Sequence, residues 1–120
     1  MKKSIAFLFT NGPHNEAAGR EGLDALLAIS AICENIGVFF VSDGIFLLLP
    51  DQKPEQIMAK NFINAFGIIP LYNITSLYLC ADSAIERGFN VHTSWLLNIN
   101  FIPANFLNKT ISLYNHIIKF

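Results

Sequence analysis

Apolar residues along this chain fall either in short unbroken runs or at every third or fourth position, and the two patterns alternate. Residues 4–10 are β-branched and aromatic with little polar alternation, which predicts a strand covered on both faces. Asn11-Gly12-Pro13-His14-Asn15 reads as a loop. Over residues 17–35, Leu23, Leu26, Leu27, Ile29 and Ile32 spread round a helix, so more than one of its sides should be buried. Gly19 and Gly22 would each cost about 1 kcal/mol relative to Ala within it, and close backbone packing is a reason to keep them. Asn35-Ile36-Gly37 resembles a C-terminal cap.

A second strand is predicted over 38–42, ending at Asp43-Gly44, with a helical turn over 45–49 closed by Pro50. Pro54 suits the start of a helix over 55–66, where Ile57, Met58, Phe62, Ile63 and Phe66 keep helical spacing. Strands follow over 77–80 and 95–99, the first leading into a short helix that Gly88 ends. Pro103 opens a last helix to about Leu113, and residues 116–120 form a terminal strand. Strands alternating with helices predict a three-layer α/β/α sandwich around a mainly parallel sheet of about five strands, an α/β flavodoxin-like architecture. The 120 residues form a single domain with no repeat or linker, and strand order stays open.

Composition narrows the function. A net charge of −1 gives no electrostatic footprint for direct nucleic-acid binding or an acidic membrane surface. Cys33 and Cys80 lack CxxC spacing, and His14, His92 and His116 are scattered, so neither a metal nor a cofactor is expected. Free thiols suit a reducing compartment. Met1-Lys2-Lys3 and the apolar run after it imitate a signal peptide, but the run breaks at Asn11-Gly12-Pro13, and no stretch is long enough for a membrane span. The expectation is a soluble, cytoplasmic protein.

Hydrophobic residues make up 52% and charged ones 14%, against a usual charged share of roughly 25%. Such a small domain should be the more polar kind, so part of its surface is expected to face another protein. AT-rich codon usage, with Asn replacing charged residues, is the other explanation.

Cys80 carries the most chemistry. It closes Leu77-Tyr78-Leu79-Cys80 and precedes a helix, at the edge where open α/β sheets place ligands. Free N–H groups of a following helix favour negative charge on sulfur. The same residue also reads as a small hydrophobe filling a strand end. Cys33, among Ala31, Ile32 and Ile36, reads as core packing within the helix. Gly19-Arg20-Glu21-Gly22 places an exposed charged pair between two small residues, either a partner contact or a solvated helix face. The loop after the first strand lacks GxGxxG and GxxxxGK[ST], and Pro13 removes a donor, so a flavin or nucleotide site there is disfavoured. Asp43, Asp82 and Ser83 read as caps of the helices they begin.

The stretch Pro13-His14-Asn15-Glu16-Ala17-Ala18-Gly19-Arg20-Glu21-Gly22-Leu23-Asp24-Ala25-Leu26-Leu27-Ala28 resembles the DsrE/F/H-like family, in particular the subunits of TusBCD sulfur-relay complexes. The resemblance continues through Val38-Phe39-Phe40, Asp43-Gly44-Ile45-Phe46, Leu48-Leu49-Pro50 and Gln52-Lys53-Pro54. It resumes at Leu71-Tyr72-Asn73-Ile74, Cys80-Ala81 and Glu86-Arg87-Gly88, and beyond Asn90 it is weak apart from Ile118-Lys119-Phe120. It implies a subunit that assembles with TusB-like and TusD-like chains as a cytoplasmic dimer of heterotrimers. That heterohexamer passes persulfide sulfur from a TusA-like donor towards a TusE-like acceptor and finally to the 2-thiouridine of a tRNA wobble position. In the family the indispensable relay cysteine belongs to the TusD-like subunit. The present chain then reads as structural or accessory and not an enzyme by itself. Two alternatives stay open: Cys80 itself carries persulfide sulfur, or the domain is a flavodoxin-like small-molecule binder.

Overall fold

The computed structural model describes residues 3–12, 16–49 and 66–120. Five strands form one parallel sheet: β1 (Ser4–Phe9), β2 (Asn35–Phe40), β3 (Ser76–Cys80), β4 (Asn100–Ile102) and β5 (His116–Lys119). The order across it is β4-β3-β2-β1-β5. The described helices are α1 (Glu16–Ser30), α2 (Ala81–Glu86) and α3 (Ala104–Ser112), with 3-10 helices at Ser42–Leu48 and Phe66–Tyr72. The expected helix over 55–66 lies outside the described residues, except for Phe66, which opens the second 3-10 helix.

The strand order explains the layers. From β1 through β4 the chain steps in one direction, whereas β4 to β5 returns across the whole sheet through α3. Right-handed crossovers taken in opposite directions put their helices on opposite faces. Side chains alternate accordingly. Phe7, Phe9, Val38, Phe40, Leu77 and Leu79 join one core cluster, beneath Leu23 and Leu26 of α1 and the buried residues of both 3-10 helices. Ala6, Phe39 and Cys80 join the other, beneath Leu107 of α3. The arrangement is a three-layer α/β fold.

Boundaries shift where pairing overrides local pattern. Asn35-Ile36-Gly37 does not cap α1: these residues pair with Ser4, Ile5 and Ala6 and begin β2. The helix therefore stops at Ser30, which leaves Ile32 beyond it and 87% exposed. Cys33 consequently lies past the helix, half-buried against the first core cluster, its thiol 3.5 Å from the Lys3 carbonyl. Residues 95–99 are not a strand. Asn100–Ile102 takes that role instead, and the Leu96 N–H donates to the Leu48 carbonyl at 2.6 Å, so the earlier stretch is tied to the first 3-10 helix.

At Gly22 and Gly44, as at Gly37, only hydrogen fits. A Cβ on Gly22 would lie 2.5 Å from Cε1 of Phe9 and 2.8 Å from Cγ of Phe120. One on Gly44 would lie 2.6 Å from the Phe9 carbonyl carbon.

Candidate functional site at the carboxyl edge of the sheet

Cys80 ends β3 and is the N-cap of α2, in extended backbone (φ −71°, ψ 116°) and with no side-chain cap hydrogen bond. It is 5% exposed and shares its cluster with Ala6, Phe39 and Leu107, while Tyr78, Ile102 and Ala104 pack against the same cluster. The thiol thus lies under α3 in apolar surroundings. Attack on a sulfur atom needs access as well as negative charge, and this placement restricts access.

Polar groups gather beside Cys80 but serve one another. The Ser42 N–H donates to Oγ of the buried Ser83 at 2.9 Å. This contact holds Ser42 at φ 51°, a left-handed conformation uncommon for a residue with a Cβ. Arg87 Nε donates to Asp43 Oδ1 at 3.0 Å, and its Nη1 donates to the Ser83 carbonyl at 3.1 Å. A weaker ion pair runs from Arg87 Nη1 to Glu86 at 3.5 Å. Asp82 Oδ1 accepts from the Ala104 N–H at 3.2 Å, so the carboxylate sits at the start of α3.

The expected caps are therefore corrected. Asp43, Asp82 and Ser83 do not cap their own helices; each ties one carboxyl-edge segment to another. Arg87 and Ser42 are the members that pattern reading gave no role. The spacing of Asp43-Gly44 and Arg87-Gly88 marks two turns, but nothing in sequence says that they meet.

β1 and β5 lie side by side in the sheet. Phe120, which follows β5, packs on the α1 side. Its ring stacks with Phe9 at 5.7 Å and Phe7 at 6.2 Å, and its backbone bonds to Leu8 and Thr10. Pro13, His14 and Asn15 of the adjoining loop lie outside the described residues.

In the Gly19-Arg20-Glu21-Gly22 segment the two glycines are buried and Arg20 and Glu21 are exposed. The segment lies on α1, on the opposite face of the sheet from the Cys80 cluster. Among the described residues no group of three or more His, Cys, Asp or Glu side chains is arranged to hold a metal. A separate groove of about 460 Å³ opens at the amino edge, lined in part by Ile32, Cys33, Tyr72 and Ser76, far along the strands from Cys80. No helix among the described residues is long and apolar enough to cross a membrane.

The five-stranded parallel sheet places the chain in the α/β class, and the chain belongs to the DsrE/DsrF-like family, whose model matches residues 3–120. The chain is 47% identical over 118 residues to Protein TusC of Klebsiella pneumoniae (strain 342), covering 98% of this chain and 99% of that one. The crystal structure of ychN protein from E. coli superposes with a TM-score of 0.79 over 100% of both chains at 19% identity, which establishes the shared fold.

Proposed function

We propose that this chain is an accessory subunit of a cytoplasmic sulfur-relay complex, built with TusB-like and TusD-like chains as a dimer of heterotrimers. Near-complete coverage at 47% identity to a TusC protein supports the relay assignment. The observation that carries the accessory role is the burial of Cys80 at 5% exposure beneath α3. In the relay step a thiolate attacks the outer sulfur of a persulfide. The new S–S bond forms as the old one breaks, the donor leaves as a thiolate, and the acceptor becomes the persulfide. Such a thiol must meet two partners in turn, from a TusA-like donor to a TusE-like acceptor, before sulfur reaches the wobble 2-thiouridine of tRNA. Cys80 is packed for stability, and the partner subunit supplies the reacting sulfur.

The second reading, in which Cys80 carries the persulfide, draws on its place at the carboxyl end of β3 next to a helix start. Persulfide labelling separates the two. Loading the assembled complex with sulfur and mapping the modified cysteines should leave Cys80 unmodified; a persulfide on Cys80 would establish the carrier reading. Arg20 and Glu21 are proposed partner contacts, flanked by the buried Gly19 and by Gly22, which sets how closely α1 packs on the sheet beneath it.

A further inference from the structure

The outer surface of α3 is divided. Ala104, Leu107 and Ile111 turn to the sheet. On one flank Asn105, Asn108 and Ser112 are all polar and exposed. On the other, Phe106 and Leu113 follow a spacing of seven residues and are 56% and 79% exposed, with Lys109 between them. The ammonium of Lys109 lies 5.7 Å from the centre of the Phe106 ring. Segregation of this kind differs from apolar residues scattered singly over a surface, which need no explanation.

Charge adds an independent observation. Every Asp and Glu of the chain lies at or before Glu86, so residues 87–120 contain Arg87, Lys109 and Lys119 and no acid. The one carboxylate at the start of α3, Asp82, comes from α2 and already accepts from the Ala104 N–H. The Phe106–Lys109–Leu113 stripe is therefore apolar and basic, with no acidic side chain of its own element to neutralise it. An aromatic anchor beside a cation fits a surface with an apolar pocket and an acidic rim.

We infer that the Phe106–Lys109–Leu113 stripe of α3 is a docking surface for a partner subunit that presents acidic side chains around an apolar centre. The inference rests on the relay-complex reading and adds to it the face through which this chain assembles.

The test titrates the full-length chain into a preformed pair of TusB-like and TusD-like chains and reads affinity and intact mass. Phe106→Ser combined with Leu113→Ser should weaken assembly at least about tenfold, as loss of an anchoring pair does. Lys109→Glu should weaken it too, with a penalty that shrinks at about 1 M salt, where screening acts over about 3 Å. Asn108→Ala with Ser112→Ala on the polar flank should bind like the parent. All these side chains are exposed, so unchanged melting temperatures would confirm that folding is preserved. Parental affinity in both stripe variants would overturn the inference and leave the relay reading standing. A parent chain that fails to join the pair would overturn both. A stripe that instead mediates self-association would replace the partner subunit by a second copy and overturn this assignment.

Discussion

Arg87 Nε donates to Asp43 Oδ1 across 3.0 Å, joining the helix that follows β3 to the 3-10 helix that follows β2. Its Nη1 also reaches the Ser83 carbonyl, and Ser83 in turn receives the Ser42 N–H. Two turns separated by more than forty residues of chain thus form one brace beside Cys80. The Arg87 side chain is 24% exposed and Asp43 63%, so the ion pair itself is screened and worth little. The guanidinium matters more as a two-armed donor fixed in geometry. Arg87→Ala should cost about 1 kcal/mol, and Arg87→Lys should recover less than half of it. Equilibrium urea unfolding measures both; full recovery by Lys would show that only charge counts.

Gly22 sets how closely α1 approaches the sheet. Gly22→Ala places a methyl group 2.5 Å from Phe9 and 2.8 Å from Phe120, and overpacking of this kind costs about 1–3 kcal/mol. Gly67 supplies the contrast: its nearest neighbour would be Leu96 at 4.0 Å, so Gly67→Ala should be tolerated. Thermal melting of the two variants side by side tests this. Equal effects would mean that α1 has room to shift.

The two thiols should differ in reactivity. Cys33 is half-buried at the groove on the amino edge, while Cys80 is buried under α3. A maleimide added to the native protein should modify Cys33 first and spare Cys80. Leu107→Ala removes part of the cover over Cys80, costs about 2–5 kcal/mol by opening a cavity, and should raise the labelling rate there. Mass mapping of the modified peptides reads both effects. Fast modification of Cys80 in the parent protein would contradict the burial.

Tyr114 packs on the second face against Phe39, at a ring distance of 5.8 Å. A Cβ on Gly37 would lie 2.6 Å from its Cζ. Burial raises the pKa of Tyr114 above its ordinary value of 10.0, Tyr78 adds to the rise, and a hydrogen bond with Ser76 offsets part of it. As pH climbs past the ordinary value, the unfolded chain releases this proton before the folded one does. The contribution to stability is therefore present below pH 10 and is lost above it. Melting temperatures measured on both sides of that pH should fall more steeply in the parent than in Tyr114→Phe. Parallel curves would show that the phenol does not drive the loss.

The strands that lie in the sheet centre were legible because a parallel strand buried on both faces needs a continuous apolar run, as residues 4–9 and 77–80 have. Pro103 likewise marks the start of α3, because its fixed φ and missing N–H are tolerated just ahead of the first helical turn. What local pattern misread was competition between elements. Asn35-Ile36-Gly37 carries the residues of a helix cap, but pairing with β1 satisfies the same backbone groups, and the strand wins. Edge strand β4 is only three residues long, too short for a periodicity to stand out. At the site, the placement of Cys80 followed from its run of apolar neighbours. The brace of Ser42, Asp43, Ser83 and Arg87 did not, because it depends on two turns meeting across the sheet edge.

On the proposed function, this chain supports a relay whose reacting thiol lies on another subunit. The most direct measurement is the 2-thiolated fraction of the target tRNA in cells that carry Cys80→Ala, scored together with the mass of the assembled complex. Near-normal thiolation with an intact complex is expected, and loss of both when the whole chain is removed. Thiolation abolished by Cys80→Ala while the complex stays whole would contradict it and make Cys80 a sulfur carrier.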